Sequence, residues 1–350
     1  MERTTSIALI GAGWWATSYH LPSLTSDPRV VVTAIVEPDA DRRDKVRRGH
    51  GIEIAVADVG ELLERVVPDG AVVASPASAH ADTVRALLER DVPVLVEKPL
   101  TVRAEDAYGL VSLAEERGVE LTMGYTAQYT RAAQAAKEWV GRDIGDLVQV
   151  VIEFSSGTER LFAGEDDADA PDEQHPSGYS PENGGGQGNV QLTHALGMLT
   201  WLTDSEFERV AAFTDDRGLD VDVVDAMTFR LRGGVLGVAS STGTVPGETP
   251  VRHRVRLLGE RGTVEVDLAF GRAWLWREDG VTRHVGPRND EPGYPAEAPA
   301  RAFVDLIRGE GPNLAPGRPA AAAVAGVEAM YRSAATGRFV DVLRVGTPSE

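Results

Sequence analysis

Hydrophobic positions come first in short unbroken runs and later in longer, turn-punctuated ones. Ser6–Ile10 and Val30–Val36 are apolar stretches of strand length, the first closed by Gly11 Ala12 Gly13 and the second by Glu37. Further strand-like runs at Gly70–Ala74, Val92–Val96 and Glu120–Tyr125 alternate with helical patterns at Glu61–Val67, Ala79–Arg90 and Leu100–Arg117. Such alternation specifies a parallel, doubly wound α/β sheet.

Past Tyr125 the pattern changes. A helix is expected over Arg131–Val140 and a strand over Leu147–Ser155, then a stretch rich in Gly, Pro, Asp and Glu over Gly157–Gly188, then a helix over Asn189–Leu202. Strands at Leu219–Leu231, Val235–Thr242, Val251–Leu258 and Thr263–Leu268, with turn signals at Gly233 Gly234 and Gly259–Gly262, read as a mostly antiparallel sheet. Helices at Pro299–Gly309 and Pro319–Thr336 close the chain. We therefore expect two domains, a parallel α/β domain over 1–125 and an α/β domain with a large, mostly antiparallel open sheet over 126–350. A chain of this length exceeds what one core usually fills.

Composition narrows the partners. The formal charge of −19, from 35 cations against 54 carboxylates, argues against nucleic acid, which needs a basic face to displace counterions. The absence of cysteine removes disulfides, thiolate metal sites and cysteine nucleophiles, and no metal site is read here. No apolar run reaches the roughly 18 residues of a membrane span, and the first residues lack the ordered regions of a signal peptide. A cytoplasmic protein without membrane or nucleic-acid partners is the expectation.

The first strand and its glycines form the pattern GxGxxA, Gly11 Ala12 Gly13 Trp14 Trp15 Ala16, ahead of a helical stretch. The first glycine permits the tight turn, the second lets a pyrophosphate approach the backbone, and the small third residue packs helix against strand. Glu37 ends the second strand where an acid accepts hydrogen bonds from an adenosine ribose, which leans to NAD. Arg42 and Arg43 follow closely, and a nearby arginine can hold a 2′-phosphate, so NADP stays open.

Only three of the cations are lysines, and one, Lys98, lies in Glu97 Lys98 Pro99 directly after a strand. An ammonium is a compact donor whose pKa moves on burial, which favours a chemical role. Ser75 Pro76, His80, Glu97 and Lys98 all follow strand ends, as do Gly11 and Glu37, so they converge on the crevice where such sheets bind ligands. Gln191 and His194 share one helix face three residues apart, behind the glycine run Gly184 Gly185 Gly186. The preceding polar stretch reads as an active-site lid, or more plainly as an acidic insertion.

These residues resemble the Gfo/Idh/MocA oxidoreductases nearly end to end. The likeness rests on GAGWWA with His20 Leu21 Pro22 behind it, Ser75 Pro76 and His80, Glu97 Lys98 Pro99, the glycine run before His194, and Glu328–Ser333. It implies a Rossmann domain, a second α/β domain on an open sheet, a bound nicotinamide, and redox chemistry at a hydroxyl of a sugar or cyclitol. It further implies that Lys98 contacts nicotinamide and substrate, that His194 works as acid and base, and that homodimers or homotetramers form through the open sheet. Tyr125 and Gln191 are expected to recognise substrate hydroxyls, and Lys98 and His194 are the two candidates for the base.

One departure stands out: the family commonly places an aspartate one turn before this histidine, and here Val190 stands there. Either Lys98 carries more of the proton transfer or a carboxylate from elsewhere completes the site. The resemblance also admits a glycosidase- or lyase-type enzyme that oxidises its substrate transiently with retained NAD, and a non-catalytic sugar or NAD sensor of the same fold.

Overall fold

The computed structural model describes residues 3–164, 179–247 and 249–343. Six short strands, β1 (Thr5–Ile10), β2 (Val30–Val36), β3 (Ile54–Val56), β4 (Gly70–Val73), β5 (Val94–Val96) and β6 (Leu121–Met123), form a parallel sheet in the order β3-β2-β1-β4-β5-β6. Strand order reverses between β1 and β4, whose pairing sets Ile7 beside Gly70 and Ile10 beside Val73. Most of these strand residues are buried because helices cover both faces, which is why the sequence shows runs rather than alternation.

The second sheet holds nine strands: β7 (Leu147–Ser155), β8 (Phe207–Asp215), β9 (Val224–Leu231), β10 (Leu236–Thr242), β11 (Arg252–Gly259), β12 (Gly262–Asp267), β13 (Arg272–Arg277), β14 (Thr282–Val285) and β15 (Val340–Asp341). All its pairs are antiparallel except β7 with β10. One face buries Val150, Ile152, Phe154, Met227, Phe229, Val255 and Leu257. The other alternates outward with Val151, Phe213, Leu236, Val238 and Trp276 exposed.

The two halves interlock through helices. The alanine-rich helix Gly317–Thr336 packs on β8 and on helices Thr193–Thr203 and Ala104–Arg117, and small residues make that approach possible. A Cβ at Gly326 would lie 2.7 Å from the Phe207 ring, and one at Gly317 would lie 2.8 Å from Leu121. Helix Ala298–Ile307 returns to the first sheet, where Phe303 and Val304 join Ile7, Leu9 and Val72 in one core cluster.

Several elements differ from the sequence expectation for identifiable reasons. The strand expected from Leu219 starts at Val224, because the Asp215 and Asp216 side chains accept from Arg217 N and Gly218 N and turn the chain there. β8, β13, β14, the edge strand β3 and the helix Ala40–His50 escaped the pattern reading altogether. The helix expected from Leu100 begins at Ala104, whose N–H donates to Glu328 Oε2 at 2.7 Å. Of the stretch Gly157–Gly188, residues 165–178 lie outside the described residues, and with them the middle of the expected lid.

Phe207 is 1% exposed and faces Phe229 at 5.1 Å beneath Gly326. Phe207→Ala is expected to cost about 3–5 kcal/mol, read as a lower urea midpoint at unchanged slope.

Candidate active site

The site lies where the strand ends of the first sheet meet the glycine turn of the second domain. Gly11 sits at φ +91°, and a Cβ there would lie 2.7 Å from Ala74 O, so only glycine lets the β1 turn pass the end of β4. A Cβ at Gly13 would meet nothing within 4 Å, so open space stands in front of the helix that begins at Trp14. First-turn N–H groups of a helix have no intrahelical partner, and open space before them fits a phosphate. Ser75 Oγ is buried without a partner beside this turn, a second polar group left for a ligand. Trp14, Trp15 and Tyr19 form an aromatic cluster with centroids 4.5–5.7 Å apart, and Ala16 is buried against the sheet. These features fit a dinucleotide.

Glu37 does more than the motif suggests. Its Oε2 accepts from Ala12 N at 2.9 Å and its Oε1 from Asp39 N at 3.0 Å, so the carboxylate braces the glycine turn from the end of β2. Arg42 Nη1 stands 3.7 Å from Oε1, and Arg43 donates to the Glu37 carbonyl at 2.6 Å. Both guanidinium groups thus stand against Glu37, one near its carboxylate and one on its carbonyl.

Glu97 is the hub of the next layer. Its Oε1 pairs with His20 Nε2 at 2.9 Å and its Oε2 accepts from Lys98 N at 3.2 Å. Gly124 is required opposite, since a Cβ there would overlap Glu97 Oε1. His80 is fully enclosed, with Nδ1 2.9 Å from Pro99 O and Nε2 2.9 Å from Ser75 O. It ties the loop after β4, with Ser75 Pro76, to the loop after β5, and burial lowers its pKa.

Lys98 crosses the cleft. Its Nζ donates to Val190 O at 2.9 Å, and burial lowers the ammonium pKa while Glu97 opposes the shift. Val190 belongs to a wide helical turn, Gly188–Leu192, that runs into helix Thr193–Thr203 and carries Gln191 and His194. The His194 pKa is pushed well below its ordinary value by burial first, then by Lys98 and His253. Its ring meets Tyr125 edge-on at 6.1 Å and lies parallel to Phe154 at 6.3 Å. Tyr125 is buried and its hydroxyl shares a 2.9 Å bond with Thr193, while the Gln191 side chain makes no hydrogen bond among the described residues.

Sequence reasoning missed His253 and Tyr294 in this shell, and the contact between His20 and Glu97. His253 on β11 stacks on Phe154 at 3.9 Å and bonds Ser155 O at 3.0 Å, and strand alternation alone gave no reason to single it out. The bond from His20 to Glu97 spans 77 residues, beyond any local pattern. Tyr294 is half-buried beside Thr126, and only the return of the C-terminal segment to the first sheet brings it there. Among the described residues no carboxylate bonds to His194 in place of the aspartate that the resemblance implies at Val190; the backbone carbonyl of Val190 takes the lysine.

Comparisons with known proteins agree with this geometry. Residues 5–125 match the sequence profile of an oxidoreductase family with an NAD-binding Rossmann fold, GFO/IDH/MocA, and residues 133–265 match the GFO/IDH/MocA C-terminal domain. The chain is 32% identical over 273 residues to the myo-inositol dehydrogenase Hyg17 of Streptomyces leeuwenhoekii, covering 74% of this chain and 76% of that protein. It is 27% identical to D-xylose 1-dehydrogenase (NADP(+)) 2 of Haloferax volcanii, across 88% and 91% of the two chains. The crystal structure of GenD2 from gentamicin A biosynthesis, in complex with NAD, superposes with a TM-score of 0.77 at 24% identity, covering 98% of each chain.

Gly124→Ala forces the Glu97 carboxylate away from His20. We expect a loss of about 1–3 kcal/mol by overpacking, read as a lower thermal midpoint.

Proposed function

The chain belongs to the GFO/IDH/MocA family of NAD-binding oxidoreductases, and on that premise we propose that it moves a hydride between nicotinamide and a ring hydroxyl or ketone of a cyclitol or sugar. The supporting observation is the approach of Lys98, from the first sheet, to the turn that carries His194, 2.9 Å from Val190 O. The inositol and xylose dehydrogenases among its relatives support the substrate class. Residues 1–125 act as the cofactor domain and 126–350 as the substrate domain.

Gly11, Gly13, Trp14, Trp15, Ala16, Glu37, Arg42, Ser75, Pro76, His80, Glu97 and Lys98 form the cofactor side of the cleft in this reading. Bound NAD supplies the hydride acceptor. As the hydride leaves carbon, the hydroxyl proton must pass to a base within hydrogen-bond reach, and the electron pair left on oxygen forms the carbonyl. His194 suits that base: burial keeps its imidazole neutral and able to accept, and with no carboxylate at residue 190 the imidazolium is only weakly held and returns its proton readily. Lys98 donates to the reacting oxygen and aligns it with a second of its three ammonium hydrogens while Val190 O keeps the first, with Glu97 holding the charge in place. Tyr125 lines the pocket through its edge contact with His194, and Gln191 remains available for a hydroxyl.

The outer face of the second sheet supports self-association. Phe213, Leu236, Val238, Val151 and Trp276 are exposed there among charged neighbours, a patch that suits a second copy of the chain. We read the protein as a cytoplasmic homo-oligomer; among the described residues no helix is long and apolar enough to cross a membrane. Phe213→Glu is expected to halve the mass measured by light scattering, and an unchanged mass would remove this face from the assembly.

The deciding measurement is nicotinamide absorbance while NAD, and separately NADP, is offered with inositols, aldoses and glycosides. A rise with a cyclitol or sugar is expected. No change with any of them, with cofactor retained through purification, would replace net oxidation by a reaction that recycles its cofactor. Lys98→Met should lower kcat/KM by about 10²–10⁴.

Glu97→Gln removes the interaction that raises the Lys98 pKa, so that pKa falls further. Neutral Lys98 then appears at lower pH, and the Lys98-dependent limb of the kcat/KM profile moves to lower pH.

A further inference from the structure

We propose that Asp222 and Asp225 form a buried carboxylate and carboxylic acid pair, with the proton on Asp225, that positions the Gly188–Leu192 turn and through it Lys98. The activity test alone rests on the dehydrogenase reading above. Asp222 lies on the loop entering β9 and Asp225 on β9 itself. Asp222 Oδ2 accepts from Gly188 N at 2.7 Å, its Oδ1 accepts from the Tyr331 hydroxyl at 2.9 Å, and its carbonyl accepts from Gln187 N at 2.9 Å. The glycine run allows this approach: a Cβ at Gly186 would overlap Asp222 Oδ1, and one at Gly188 would lie 2.6 Å from the Tyr331 hydroxyl.

Asp225 is 1% exposed, and both its carboxyl oxygens are shut off from solvent with no donor to satisfy them. The neighbouring acid is Asp222, three residues earlier, whose carboxylate acts on Asp225 by charge and by hydrogen bonding. Two ionised carboxylates so placed would be an uncompensated buried charge pair; one proton turns the inner carboxyl into a donor aimed at an acceptor. Burial first, and Asp222 after it, raise the Asp225 pKa well above the carboxyl range. Tyr331, from helix Gly317–Thr336, is the other titratable group against the pair, and burial with both carboxyls holds its hydroxyl protonated, as its donation to Asp222 requires. Gln187 and Ser241, the buried polar neighbours in the same layer, bond each other at 3.0 Å and are uncharged.

From Asp225 the chain of contacts runs through Asp222 to Gly188 N, then two residues along the turn to Val190 O and across the cleft to Lys98 Nζ. Asp222 and Asp225 are thus positioning residues. Because the native state keeps a proton that the unfolded chain releases above the ordinary carboxyl pKa, native stability falls as pH rises from there towards the raised value.

The test compares wild type with Asp225→Asn, which keeps a neutral donor. Through the neutral range the wild-type folding constant should fall about tenfold more per pH unit than that of Asp225→Asn. Equal slopes would overturn the pair. So would a stoichiometric metal ion in purified wild type whose removal by chelator abolishes the difference, because a cation would then occupy the place of the proton. In the dehydrogenase assay Asp225→Leu should lower kcat about a hundredfold through displacement of Lys98, and Asp225→Asn should restore it. Equal loss in both variants would overturn the positioning role. The stability slopes need no substrate, so they are read even where no substrate turns over, and they hold if Asp225→Leu does not fold.

Discussion

Lys98 donating to Val190 O joins the end of β5 to the glycine turn of the second domain, and the cleft takes its shape from that one bond. An ammonium enclosed between two domains must be bonded, because burial without partners costs several kcal/mol. That requirement fixes what surrounds it. Glu97 follows β5 and opposes the loss of charge, His20 holds Glu97 from the far side, and Gly124 leaves the room. On the opposite bank the backbone of the Gly188–Leu192 turn, rather than a side chain, meets the lysine.

The same enclosure sets the protonation states. Lys98 and His194 are both pushed towards their neutral forms by burial, and each cation would disfavour the other. Where the resemblance implies an acid one turn before the histidine, Val190 offers only its carbonyl. The carboxyls in this region lie instead behind the turn, at Asp222 and Asp225, where they hold backbone and not imidazole.

Much of this was legible in the sequence. Continuous apolar runs, GxGxxA and an acid at the end of β2 determined the parallel domain and its ligand edge, because a strand buried on both faces has no polar option and a tight turn at positive φ needs glycine. Glu97 Lys98 Pro99 and His194 stood out by residue type and by following strand or glycine signals. The tertiary structure alone decided the rest. That Glu37 braces Ala12, that His20 meets Glu97 and that His253 shares a stack with Phe154 depend on contacts between strands and loops distant in sequence. Local pattern encodes which face of an element is buried; it does not encode which buried polar group will find which partner, since that follows from the packing of whole sheets and helices.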